Sequence, residues 1–142
     1  MASRSTSKIW EYLGNLEKDK LSHALRSLAD TEQELANLEA SVVKMQEMKN
    51  EYLTKLNHAE SGQDIAIVEL TTSINFIGRI EEALRHSAAR RLELNKHLRQ
   101  AKQHCADRQV DVKKYAILGE KELKASALKD RQEEQKQADQ HA

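Results

Sequence analysis

Few residues of this 142-residue chain have the types and spacing that catalysis or metal binding needs. The clearest candidates are His97, His104 and Cys105, whose side chains are common metal ligands. On a helix the two histidines would lie one heptad apart, about 10 Å along the axis, which is too far to share one ion. We therefore predict no metal site and expect Cys105 to be a small buried apolar residue. An interchain disulfide through this single cysteine is the alternative.

Other signatures of chemistry are missing from the sequence. It contains no glycine-rich loop that would cradle nucleotide phosphates, and the Arg90-Arg91 pair is too short a basic run to indicate nucleic-acid binding. The 23 basic residues balance the 23 acidic ones, so net charge directs the chain neither to nucleic acid nor to anionic lipid. No apolar signal region or membrane-spanning segment is apparent. We expect a cytoplasmic, non-enzymatic protein without cofactor or small-molecule substrate.

The elements that position these residues are two long helical patterns. The sequence has no proline and only four glycines, and its one turn-like cluster is Glu60-Ser61-Gly62-Gln63-Asp64. We predict an outgoing helix over about 6–59 with caps at Ser5–Ser7, a turn over about 60–64, and a returning helix over about 65–137 that Asp64 caps. The chain, residues 1–142, is then a single all-α domain.

Apolar residues recur at heptad spacing in both helical patterns, as in a coiled coil. On the outgoing helix the core positions include Leu21, Ala24, Leu28, Leu35, Leu38, Val42 and Met45, and on the returning helix Leu70, Ile77, Ile80, Leu84, Leu94, Leu98 and Cys105. This predicts an all-α fold of two long helices that form an antiparallel coiled-coil hairpin. Residues Glu11–Glu60 contain ten acidic and six basic residues, net −4, and Arg79–Lys114 ten basic and five acidic, net +5. The opposite charges favour pairing of the two helices.

Folding the chain about Ser61 gives a register in which polar core residues meet one another. Thr31 then faces Arg91 and Lys49 faces Ser73, and matched polar layers of this kind set register. The same register places Trp10 opposite Val112 and Gly14 opposite Arg108. Pairing would end near Tyr115, which leaves roughly the last 25 residues as an unpaired C-terminal helical overhang.

Apolar residues also flank the core near the turn, at positions where charged residues usually stand. They are Met48, Leu53, Ile67, Ile74 and Phe76. Such residues indicate a partner-binding surface. A thicker core that prevents fraying is the alternative interpretation.

Three stretches resemble the flagellar FliJ family of type III export proteins. They are LGNLEKDKLSHALRSL at 13–28, MKNEYLTKLN at 48–57 and INFIGRIEEALRH at 74–86. The resemblance implies a non-enzymatic stalk that couples the export ATPase ring to the membrane export gate and assists export chaperones. The terminal end, around Trp10 and Val112, would face the ATPase.

The resemblance also implies a gate-binding patch. Its residues would be Met45, Met48, Tyr52, Phe76, Ile80, Ala83 and His86, with Ser87 at the edge. Met48 departs from the family pattern, which often has an aromatic residue at this position. The alternatives are an injectisome stalk, a generic cytoplasmic coiled-coil tether, and a parallel dimer in which the Gly62 turn is helical.

Overall fold

The computed structural model describes the backbone of residues 2–60 and 67–141, and the side chains of residues 8–58 and 67–141. Helix α1 spans Ala2–Glu60 and helix α2 spans Ile67–His141, and the described residues contain no strand. The two helices pack against each other as a helical hairpin, so the predicted fold class is confirmed. The predicted turn, with Gly62 and the Asp64 cap, lies outside the described residues.

The helix ends differ from the predicted ones by a few residues. Helix α1 begins at Ala2 instead of residue 6, and α2 runs from Ile67 to His141 instead of 65 to 137. No proline or glycine stops either helix in these regions, so the Ser5–Ser7 stretch continues the helix instead of capping it. Near the start of α2 the hydroxyls of Thr71 and Thr72 donate hydrogen bonds to carbonyls one turn earlier, which accommodates two β-branched residues in the helix.

Burial follows the heptad pattern in both helices. The described apolar side chains that are buried all occupy core heptad positions: Ala24, Ile77, Ile80, Leu94 and Cys105. The burial of Cys105 confirms its predicted role as a small core residue. The core is only two side chains wide, which is why no described side chain is completely buried.

The chain divides into two compact units. The first unit comprises Met1–Leu28 with Ala101–Ala142, and the second comprises Ala29–Gln100. Each unit contains its own contacts between the two helices.

In the first unit, glycines of one helix lie opposite aromatic residues of the other. A Cβ atom at Gly14 would lie 3.8 Å from the Cβ of Tyr115, and one at Gly119 would lie 3.5 Å from the Cβ of Trp10. The Trp10 and Tyr115 rings also contact each other, with centroids 5.9 Å apart. Small residues opposite large ones allow the helices to approach closely.

These contacts contradict the predicted register. Gly14 faces Tyr115 and not Arg108, which is one heptad earlier on α2. Likewise Trp10 faces Gly119 and not Val112. The observed register places a large aromatic side chain opposite a glycine in two successive layers, a fit that the pattern of polar residues does not contain.

The second unit shows the same displacement of one heptad. Arg91 forms an ion pair with Glu39 at 3.6 Å, eight residues and about 12 Å along α1 from its predicted partner Thr31. Lys49 pairs with Glu81 at 3.5 Å, which is eight residues beyond its predicted partner Ser73. The pairings of Thr31 with Arg91 and of Lys49 with Ser73 are therefore wrong.

The longer overlap shortens the predicted overhang. Pairing continues at least to Gly119, and α2 residues up to Ser126 are partly covered in the heptad pattern. Residues 127–141 are all exposed. The unpaired polar end of α2 is thus nearer 15 than 25 residues.

Candidate partner-binding surfaces

The predicted gate patch lies entirely in the second unit, on one flank of the paired helices. Helix α1 contributes Met45, Met48 and Tyr52, and α2 contributes Phe76, Ile80, Ala83 and His86. Heptad position explains the grouping. Met48, Phe76 and Ala83 all occupy g positions, and in an antiparallel pair the g positions of the two helices lie on the same side.

The centre of this patch is an aromatic pair that joins the two helices. The rings of Tyr52 and Phe76 have centroids 4.8 Å apart and planes tilted by 45°. This distance and tilt are within the favourable range for aromatic contacts. The ammonium group of Lys55 lies 5.1 Å from the centre of the Tyr52 ring, so a cation–π contact covers part of the pair.

The patch residues differ in how much surface they present. Met48 is 39% exposed, and His86 is more exposed still, with its Nε2 3.8 Å from a Glu82 carboxylate oxygen. Met45, Tyr52, Phe76 and Ala83 are half-buried. Met48 and His86 are therefore the most exposed residues of the patch.

Ile80 has a different place in the structure. It is only 5% exposed and belongs to the core beneath the patch. Direct contact of Ile80 with a partner stays a prediction. The family resemblance grouped it with the patch, whereas its heptad position places it in the core.

The four polar core residues predicted to set register are placed at or beside the core. Thr31, Lys49 and Ser73 are half-buried, whereas Arg91 is exposed. Lys49 and Arg91 reach sideways out of the core to carboxylates of the opposite helix. The ion pairs keep the charges near water, where they cost little. A role in setting register stays a prediction.

A charged network marks the same flank further from the turn. Arg90 donates hydrogen bonds to Glu34 of α1 and to Glu93 of its own helix. The bond to Glu34 and then the bond to Glu93 raise the pKa of Arg90. The bond from Arg90 lowers the pKa of Glu93, and a bond from His97 adds to this. These groups lie at the surface, so the network favours one helix alignment without forming a reaction site.

The first unit contains a groove that sequence reasoning missed. The groove has a volume of about 340 Å³ and is lined by residues that include Trp10, Gly14, Val112, Tyr115, Gly119 and Leu123. It exists because two core positions are glycines and leave space beside the rings. Glycines at core heptad positions next to tryptophan and tyrosine are the signal that could have predicted it.

Below the groove, the first unit buries a charged pair. Glu17 is the one buried polar residue among those described, and its carboxylate accepts bonds from Arg108 at 3.4 Å and Lys20 at 3.2 Å. Arg108 also lies 3.8 Å from Asp111. Hydrogen bonds from two cationic donors offset the free-energy cost of removing the carboxylate from water.

Features of metal and membrane sites are not found in the part of the chain that the structure describes. No group of three or more histidine, cysteine, aspartate or glutamate side chains converges there. His97 lies 3.6 Å from Glu93, a single carboxylate on its own helix. None of the described helical segments is long and apolar enough to cross a bilayer.

Comparison with known proteins decides the family. The profile of the flagellar FliJ protein family matches residues 11–142, which include nearly all of both helices. The chain belongs to the flagellar FliJ family. This confirms the resemblance seen in the three sequence stretches, and it makes the chain a stalk-like member of a type III export family.

Two further comparisons were made, with solved structures and with curated proteins. A crystal structure at 2.8 Å of the type III secretion protein YscO from Vibrio parahaemolyticus is similar, with 17% identity and a TM-score of 0.46. The similarity covers 99% of this chain and 92% of the YscO chain. No curated protein matches the sequence.

Proposed function

We propose that this FliJ-family chain is a non-enzymatic stalk of the flagellar type III protein export apparatus. It couples the export ATPase ring to the membrane export gate and assists export chaperones. The observation that carries the proposal is the family match over residues 11–142. On this proposal the protein works in the cytoplasm, at the face of the inner membrane, through protein contacts alone.

The gate-binding surface is the patch of the second unit. Exposed Met48 lies on the same flank as the Tyr52–Phe76 ring pair, and a partner that covers all three buries both apolar and aromatic surface. Central aromatic residues surrounded by a polar rim are typical of protein-binding hot spots. Glu82 and His86 supply the polar edge on α2.

Met48→Gln tests this surface without disturbing the core. Because Met48 is partly exposed, the variant should keep the helicity and thermal stability of the parent. Binding to the cytoplasmic part of the export gate should fall about tenfold, as expected for loss of an apolar contact at the centre of an interface. Isothermal titration calorimetry measures the affinity, and swimming of a complemented null strain measures the function.

The matched control is Val43→Gln, which removes an exposed apolar residue of the same helix outside the patch. It should leave gate binding and swimming unchanged. The double variant Tyr52→Ala with Phe76→Ala removes the ring pair and should abolish gate binding. It also costs about 2–4 kcal/mol of stability, because both rings are half-buried. Equal gate affinity for the parent and Met48→Gln would exclude the patch as the gate contact.

Size-exclusion chromatography with light scattering tests whether the chain binds the export ATPase. A monomer that moves into a larger complex with the cognate export ATPase supports the stalk. A stable dimer that does not bind the ATPase supports a generic coiled-coil tether instead. The injectisome alternative is tested by complementation: a strain that lacks the injectisome stalk would recover secretion and a flagellar strain would not recover swimming.

A further inference from the structure

A second exposed apolar surface lies in the first unit, on α2, and shares no residue with the gate patch. Val110 and Ile117 are 64% and 51% exposed. Together with half-buried Leu118 they line one shallow hollow on the helix surface, whose remaining lining residues are Lys113 and Lys114. We call these five residues the lysine-flanked strip. Large apolar side chains at outer heptad positions do not help the hairpin, because they face away from the partner helix.

The spacing of the strip fits a helix. Val110 and Ile117 are one heptad apart, so they lie on the same helix face about 10 Å apart along the axis. Side chains seven residues apart on a partner helix have the same separation, so two of them could contact Val110 and Ile117 together. Apolar residues at i, i+3, i+4 and i+7 are the usual anchors of an amphipathic helix in a groove.

The charges of the strip predict the sign of its partner. Lys113, Lys114 and Lys121 form no ion pair with any residue that the structure describes, whereas the two carboxylates within residues 110–121 are already engaged. Asp111 lies 3.8 Å from Arg108 and Glu120 lies 3.3 Å from Lys124. Three lysines without partners beside an apolar strip are complementary to carboxylates beside an apolar stripe.

A lipid surface fits less well. Recognition of anionic lipid by a helix typically uses clusters of four to eight basic residues, and residues 110–121 contain only three lysines together with two acids. The apolar part is one residue wide, which suits a single helix better than a bilayer.

We propose that the lysine-flanked strip binds an acidic amphipathic helix of a partner protein. The partner's apolar stripe covers Val110, Ile117 and Leu118, and its carboxylates pair with the lysines. This site shares no residue with the gate patch, and its test requires neither the export gate nor the export ATPase.

The test uses the full chain and a synthetic peptide of about 15 residues. The peptide carries leucines at i, i+3, i+4 and i+7 with glutamates on both sides, and a second peptide replaces each glutamate with lysine. Fluorescence anisotropy of labelled peptides measures affinity. The acidic peptide should bind with an affinity that weakens as salt is raised, and the lysine peptide should not bind.

Two variants with matched controls locate the binding. Val110→Gln with Ile117→Gln should weaken the acidic peptide about tenfold or more, whereas the exposed apolar control Leu92→Gln in the other unit should not. Lys113→Gln with Lys114→Gln should weaken it about fivefold and reduce its salt dependence, whereas Lys96→Gln should not. All these positions are exposed, so circular dichroism should report unchanged helicity.

Three results would overturn the proposal. The first is no measurable binding of the acidic peptide. The second is equal binding by the parent chain and the Val110→Gln, Ile117→Gln variant. The third is that the parent chain binds phosphatidylserine vesicles but not the acidic peptide, and that the Val110→Gln, Ile117→Gln variant no longer binds the vesicles. This result would assign the strip to a membrane surface.

Discussion

The helix register can be tested by an engineered disulfide between Gly14 and Tyr115. In the structure the Cβ positions of these residues are 3.8 Å apart, which is the mean Cβ–Cβ distance of protein disulfides. We therefore expect Gly14→Cys with Tyr115→Cys to oxidise readily. Both substitutions are made together with Cys105→Ala, so that the native buried thiol cannot compete.

The stabilisation follows from the size of the loop that the disulfide closes. Positions 14 and 115 enclose a loop of about 100 residues, for which loss of unfolded-state entropy contributes about 4.7 kcal/mol. Removal of the Tyr115 ring sacrifices its contact with Trp10, whose ring centroid is 5.9 Å away. With the lost apolar burial this costs about 2 kcal/mol. The net expectation is about 2–3 kcal/mol of added stability in the oxidised form.

Urea denaturation followed by circular dichroism, with and without a reductant, measures this difference, and non-reducing electrophoresis measures the extent of oxidation. The control pair is Gly14→Cys with Arg108→Cys, which the sequence-predicted register would bring together. In the structure Arg108 is one heptad from the partner of Gly14, about 10 Å along the helix. Oxidation of the 14–108 pair and failure of the 14–115 pair would refute the register described here.

Three further predictions concern single contacts. Gly78→Ala should stabilise the fold by about 1 kcal/mol in thermal unfolding, because a Cβ there meets no atom within 4 Å and alanine is the better helix former; a loss of stability would mean that the position is covered. Arg108→Ala should destabilise by about 1–3 kcal/mol because it removes a partner of the buried Glu17 carboxylate, and Glu17→Leu with Arg108→Leu should recover most of that loss in urea titrations. The pKa of Glu93 is lowered, so its pairing with Arg90 stabilises the fold at pH values above the pKa of an ordinary glutamate, and this stabilisation is lost as the pH falls through the lower folded-state pKa. Arg90→Gln should raise the pKa of Glu93 in a carbon-13 NMR titration. An unchanged pKa would contradict the hydrogen bond.

Much of the candidate site could be predicted without coordinates because it follows heptad position. Met48 and Phe76 share a g flank, and the structure leaves Met48 exposed and places Phe76 against Tyr52. The strip at Val110 and Ile117 could also have been predicted, since both residues occupy outer heptad positions. The burial of Ile80 also follows from its core heptad position. What a heptad pattern does not contain is the layer of the opposite helix that each residue meets.

The sequence by itself determined the two helices, the apolar faces on which they pair and their antiparallel direction. Periodicity of 3.5 residues and the lack of proline are local properties, so they could be inferred one segment at a time. Tertiary structure alone decided the register. Two alignments one heptad apart keep every core position in the core, and they differ only in how side chains of the two helices fit together. The alignment in the structure is the one that packs Trp10 and Tyr115 against glycines, a fit between helices that no single segment contains.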